Sequence, residues 1–153
     1  MKKTTILIGL LISSFISFSQ WQYGESENKF DDFQFKYASI TGSGDFPYNS
    51  PGFAVRIIEN KDAEFMLLSI AYTLVGSTID LYVDNGKVYS FGLTVSDDHQ
   101  TVWIDVAGYK DDILDILRNG NKLNVRIKGS NGSNIYTFPL NGSTAAINKV
   151  LKL

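Results

Sequence analysis

The chain has no cysteine, one histidine and three prolines, and past its first twenty residues no apolar run long enough to cross a bilayer. Without cysteine there is no disulfide framework, no lipid on an N-terminal thiol and no thiolate nucleophile, so the fold must rest on its core. A single imidazole, His99, sits in the loop SDDHQ. A closed zinc site wants more nitrogen or sulfur ligands than one histidine supplies, and adjacent carboxylates on a turn point apart. Asp97, Asp98 and His99 therefore read as a solvated turn. Asp31-Asp32 reads as a turn and Asp111-Asp112 as a helix start, since neither has the alternating oxygen ligands around a glycine that calcium requires. No G-x-S-x-G elbow or phosphate-cradling glycine loop is present. We expect no catalytic residue, no metal site and no cofactor. Acidic residues far apart in sequence can still meet as a glycosidase pair, which keeps a small secreted hydrolase as the least favoured class.

The N-terminus, MKKTTILIGLLISSFISFSQ, divides into a basic Lys2-Lys3 region and an apolar stretch from Ile6 to Phe18. Ser17 and Ser19 are small residues at the −3 and −1 places before Gln20. The stretch is too short for a membrane span, so residues 1–19 read as a signal peptide and 20–153 as one β-rich domain, periplasmic or extracellular after cleavage near Ser19/Gln20. Removing Lys2 and Lys3 from 14 basic side chains leaves 12 against 16 acidic ones. That balance argues against phosphate backbones, so nucleic acid is not an expected partner. Nor is membrane insertion of the mature chain.

Alternation then gives the strands. Residues 20–52 carry mostly loop signals, with Phe33, Phe35 and Tyr37 alternating in one half-buried strand. FAVRIIE (53–59) and the doubly apolar FMLLSIAY (65–72) follow, the latter read as central. In TIDLYVDNGKVYSFGL, Asn85-Gly86 predicts a two-residue hairpin that pairs Val83 with Val88 and Tyr82 with Tyr89. That register puts Leu81, Val83 and Val88 on one face and Tyr82, Tyr89 and Phe91 on the other. TVWIDV (101–106) sets Val102, Ile104 and Val106 opposite Trp103. NKLNVRIK (121–128) points Leu123, Val125 and Ile127 inward, and NIYTFPL, with Pro139, reads as an edge or closing strand. Helices are expected at about 110–119, stopped by Gly120, and at about 143–152. The fold class is mainly β: an antiparallel sandwich or curled barrel with two short helices.

Two stretches offer function. In FPLNGSTAAINKVL, Ser143 and Thr144 stand at a helix mouth, where a hydroxyl serves as N-cap, anion site or nucleophile. With no base nearby in sequence, the cap reading is favoured. Tyr82, Tyr89, Phe91 and Trp103, with Phe46 and Tyr48 in the loop GDFPYNSPG, are the candidate partner-binding residues. Such rings stack on sugar or anchor a protein. For Tyr82, Tyr89 and Phe91 the favoured alternative is that a helix covers them.

The opening WQYGESENKFDDFQFKYA and the tail ILDILRNGNKLNVRIKGSNGSNIYTFPLNGSTAAINKVL resemble the invasion-associated locus B proteins and the VasI-like accessory proteins of type VI secretion. The resemblance implies an exported β-rich domain with no known catalysis or cofactor, and it carries no functional residues across. Taken together, the expectation is an exported, non-enzymatic binding or accessory protein acting on a protein or cell-envelope partner. A secreted carbohydrate-binding module with a glycan partner is the alternative.

Overall fold

The computed structural model describes residues 20–28, 33–44, 50–59, 61–70, 76, 78–129 and 132–152. Residues 1–19, the Asp31-Asp32 pair, Phe46 and Tyr48 lie outside them. The elements are β1 (Gln22–Asn28), β2 (Phe33–Thr41), β3 (Ser43–Gly44), β4 (Gly52–Ile58), β5 (Ala63–Leu68), β6 (Thr78–Val83), β7 (Tyr89–Val95), β8 (Thr101–Asp105), α1 (Lys110–Asn119), β9 (Lys122–Gly129), β10 (Gly132–Pro139) and α2 (Ser143–Leu151).

The strands form one antiparallel sheet of ten, in the order β1-β2-β4-β5-β8-β7-β6-β9-β10-β3. The expected β fold with two short helices is present, as a single curled sheet that does not close into a barrel. The curl is visible at Gly42. β2 pairs with β1 and β4, yet its continuation β3 pairs with β10, near the far end of the strand order. Gly42 leaves room for this crossing, since a Cβ there would lie 2.3 Å from the Thr137 carbonyl oxygen.

Alternation sets which face is buried. Leu123, Val125 and Ile127 of β9 are fully buried, as expected, and join Phe53, Val55, Phe65, Leu67, Ile79 and Leu81 in one core. Each such side chain contributes roughly 1.5–3 kcal/mol relative to exposure. Ile113, Leu114 and Leu117 of α1 and Ala146, Ile147 and Val150 of α2 complete that core. β5 is central, and Met66 is buried on the face turned away from the core. α1 carries Asp111 and Asp112 in its first turn and Arg118 in its last, which suits the helix dipole.

Three expectations are corrected. Residues 22–28, read as loop, are an edge strand; Glu25 and Glu27 are exposed there, as suits an edge with one free side. The β6–β7 register is shifted by one: Leu81 faces Tyr89 and Ile79 faces Phe91. The reason is non-local. β6 also pairs with β9, and Asp84 accepts from the Asn121 and Lys122 backbone amides at 3.1 and 3.0 Å. That anchors Asp84 at φ 52°, and the turn closes from Gly86 N–H to the Val83 carbonyl. Consequently Tyr89 and Phe91 share the core face with Leu81, and Val88 is 51% exposed. Finally, neither Ser143 nor Thr144 caps its own helix. The N-cap is Gly142, at φ 86°, a left-handed conformation open to glycine at no steric cost.

Candidate functional site

On β8, Val102 and Ile104 point into the core, which sends Trp103 and Asp105 to the opposite face. Trp103 stands half-buried between Met66 of β5 and Thr94 of β7, its partners in register. Farther along the same face Arg56 and Glu64 are paired across β4 and β5, with Arg56 Nε donating to Glu64 Oε2 at 2.8 Å. Beyond β8 the Asp105 carboxylate accepts from Ala107 N–H at 3.2 Å. The turn that follows delivers Lys110, Asp111 and Asp112 at the start of α1 to this side. Lys110 Nζ donates to Asp62 Oδ1 at 2.6 Å, and that bond, with the Asp62 and Asp111 charges, holds the ammonium above its ordinary pKa.

Trp103, Thr94, Arg56, Glu64, Asp105 and the start of α1 line an open groove of ≈ 880 Å³. Its charge is lopsided. Arg56 and Lys110 are the cations of the lining, and Glu64 and Asp62 already engage them. Asp105, Asp111 and Asp112 form no ion pair among the described residues. With Asp62 and Glu64 they outnumber the two cations, so the lining is net negative beside an indole ring. Among the described residues its lining holds an indole, carboxylates and two cations, and neither an imidazole nor a thiol.

The remaining aromatic candidates do not join Trp103. Phe91 is 7% exposed, and Tyr89 stacks on it at 6.2 Å. Tyr109, just ahead of α1, packs edge-on against both at 6.0 Å; the cover expected over Tyr82, Tyr89 and Phe91 together reaches only the latter two, because the shifted register puts Tyr82 on the other face. Lys87 Nζ lies 4.6 Å from the Tyr89 ring centre. Tyr82 is half-buried on the outer face opposite Asn124. It lies one place past the Leu81–Tyr89 pair, six residues along the strand direction from Thr94, about 20 Å from Trp103's level. No shared aromatic platform exists among these four.

One polar constellation was not legible in advance, and another, the SDDHQ segment, is the turn its sequence predicts. Asp80, 2% exposed on the outer face, accepts from Ser90 Oγ at 2.6 Å and Arg126 Nε at 3.0 Å, with Lys128 Nζ at 3.1 Å. Burial alone would raise its pKa; the bonds from Ser90, Arg126 and Lys128 outweigh it and hold the carboxyl at about 2. In the SDDHQ turn, Asp98 accepts from Ser96 Oγ and from Gln100 N–H, and Ser96 Oγ accepts from Thr101 N–H, so the turn is tied to itself. Those bonds lower the Asp98 pKa. Among the described residues no group of three or more His, Asp or Glu is placed to hold a metal ion. No described helix is long and apolar enough to cross a membrane.

No family model matches the chain, and no curated protein matches it in sequence. Among solved structures it is similar to the invasion-associated protein B of Bartonella henselae, with a TM-score of 0.61 at 15% identity. That likeness covers 87% of this chain and 94% of the other. It supports the invasion-associated B half of the expected resemblance as a likeness of fold, and it does not extend to the VasI-like proteins.

Proposed function

We propose that this chain is an exported, non-enzymatic binding protein that holds a cell-envelope or protein partner in the groove around Trp103. The observation that carries the reading is the half-buried indole of Trp103 in a groove of ≈ 880 Å³. A partly exposed aromatic in a concave, polar-rimmed site is the usual anchor of a binding interface. Export rests on the Lys2-Lys3, apolar, Ser17/Ser19 pattern of the N-terminus. The likeness of fold to the Bartonella invasion-associated protein B is compatible with the same reading. The division of the aromatics weighs against the carbohydrate module, because sugar rings stack on a flat aromatic surface and Trp103 stands apart from Tyr82, Tyr89 and Phe91.

The test is retention on isolated envelopes. Wild type and Trp103→Leu, which keeps apolar cover over Met66 but removes the ring, are mixed with envelopes from the native host and sedimented. Wild type is expected in the pellet and the variant in the supernatant, with similar melting curves. Equal retention of both would overturn the reading.

A further inference from the structure

Resting on that reading, we infer that the occupant of the groove is an arginine- or lysine-bearing segment of a protein partner, with one cationic side chain over the Trp103 indole. Several partly exposed aromatic rings carry a cation of the chain itself. Arg56 lies 5.6 Å from the Phe35 centroid, Lys87 4.6 Å from Tyr89 and 5.8 Å from Tyr109, and Lys149 5.7 Å from Tyr23. Among the described residues none lies over Trp103, although indole is the ring that attracts cations best. The cations at hand are committed: Arg56 to Glu64 and Phe35, and Lys110 to Asp62. The open ring and Asp105, Asp111 and Asp112, none of them in an ion pair among the described residues, thus lie in one groove of net negative lining and complement the same charge. An anionic or neutral occupant would leave those carboxylates facing it unpaired. A lysine or arginine side chain satisfies both features, its apolar stem lying along the indole while its head meets a carboxylate.

The experiment uses the mature chain labelled with ¹⁵N, in which Trp21 and Trp103 give the two indole N–H signals. The Trp21 indole N–H is held by the Pro139 carbonyl at 3.1 Å, away from the groove, and serves as internal control. An arginine/lysine decapeptide should shift the Trp103 signal saturably and leave Trp21 in place. Raised ionic strength should weaken the interaction. The triple variant Asp105→Asn/Asp111→Asn/Asp112→Asn should weaken it about tenfold or more. A Trp103 signal that ignores the peptide would overturn the inference. So would a response that is unchanged in the triple variant, which would leave those carboxylates to the helix dipole and the Asp105 turn alone. A glucosamine oligosaccharide that moves Trp103 where the peptide does not would overturn it in favour of an amino sugar. Failure here with Trp103→Leu still lost from envelopes would sink the cationic occupant and leave the binding reading standing. Undiminished envelope retention of Trp103→Leu would remove both.

Discussion

The Ser143 hydroxyl, fully buried at the start of α2, donates to the Leu117 carbonyl in the last turn of α1 at 2.6 Å. Thr144 repeats the contact one residue on, donating to the Arg118 carbonyl at 2.6 Å. The last carbonyls of a helix have no partner inside it, so the N-terminus of one helix here caps the C-terminus of the other. The hydroxyls at the helix mouth are a joint between helices, and neither a nucleophile nor an anion site is needed to account for them.

Removing that joint should therefore destabilise without touching binding. Ser143→Ala leaves the Leu117 carbonyl buried without its hydroxyl donor and should cost about 1–3 kcal/mol. Thr144→Ala, at an exposed position, should cost less, about 0.5–1.5 kcal/mol. Urea unfolding of the two single variants checks the order; a costlier Thr144→Ala would contradict it.

Stability should fall in acid through Asp80. Its folded pKa, about 2, lies below the ordinary 3.8, so the folded state prefers the carboxylate. That contribution is fully present above pH 3.8 and is lost as pH falls from there toward 2. Its size is about 1–2 kcal/mol, since the half-exposed Arg126 and Lys128 are screened by water. Asp80→Asn should flatten this part of the pH profile of denaturant unfolding; an unchanged slope would rule Asp80 out.

The hairpin register separates two substitutions that the local sequence treats alike. Phe91→Ala removes a ring from the core and should cost about 3–5 kcal/mol, whereas Tyr82→Ala, on the outer face, should cost well under half of that. Thermal melts of both settle it. Comparable losses would point to the register in which the two rings share a face.

That hairpin also shows what the sequence could and could not disclose. β9 and both helices were legible because their periodicity is strong and local. β1 was not, because a strand at an edge can be as polar as a loop. The register was lost because Asp84 is fixed by the amides of Asn121 and Lys122, 37 and 38 residues away. At the site, alternation in TVWIDV already placed Trp103 and Asp105 on one face. The rest converge only through the fold: Lys110 meets Asp62 across 48 residues, and Asp111 and Asp112 looked like nothing more than helix-dipole charges.

The N-terminus of the mature chain is expected at Gln20. Trp21, one residue later, packs edge-on against Phe53 at 6.3 Å and donates its indole N–H to Pro139, so a cut beyond it would remove a core contact. Mass spectrometry of protein from the native envelope fraction should show Gln20 or its cyclised form. A chain retaining Met1 would contradict export by cleavage.

The central claim is that partners meet the protein at the Trp103 groove, and site-directed photo-cross-linking tests it most directly. A photoreactive residue is placed at Thr94, beside Trp103, or at Ile135, which is 45% exposed on β10. Each protein is then irradiated on native envelopes. The account predicts a discrete adduct from Thr94, suppressed by excess unlabelled wild type but not by excess Trp103→Leu, and no such adduct from Ile135. An adduct from Ile135 alone, or one from Thr94 that Trp103→Leu suppresses equally well, would contradict it.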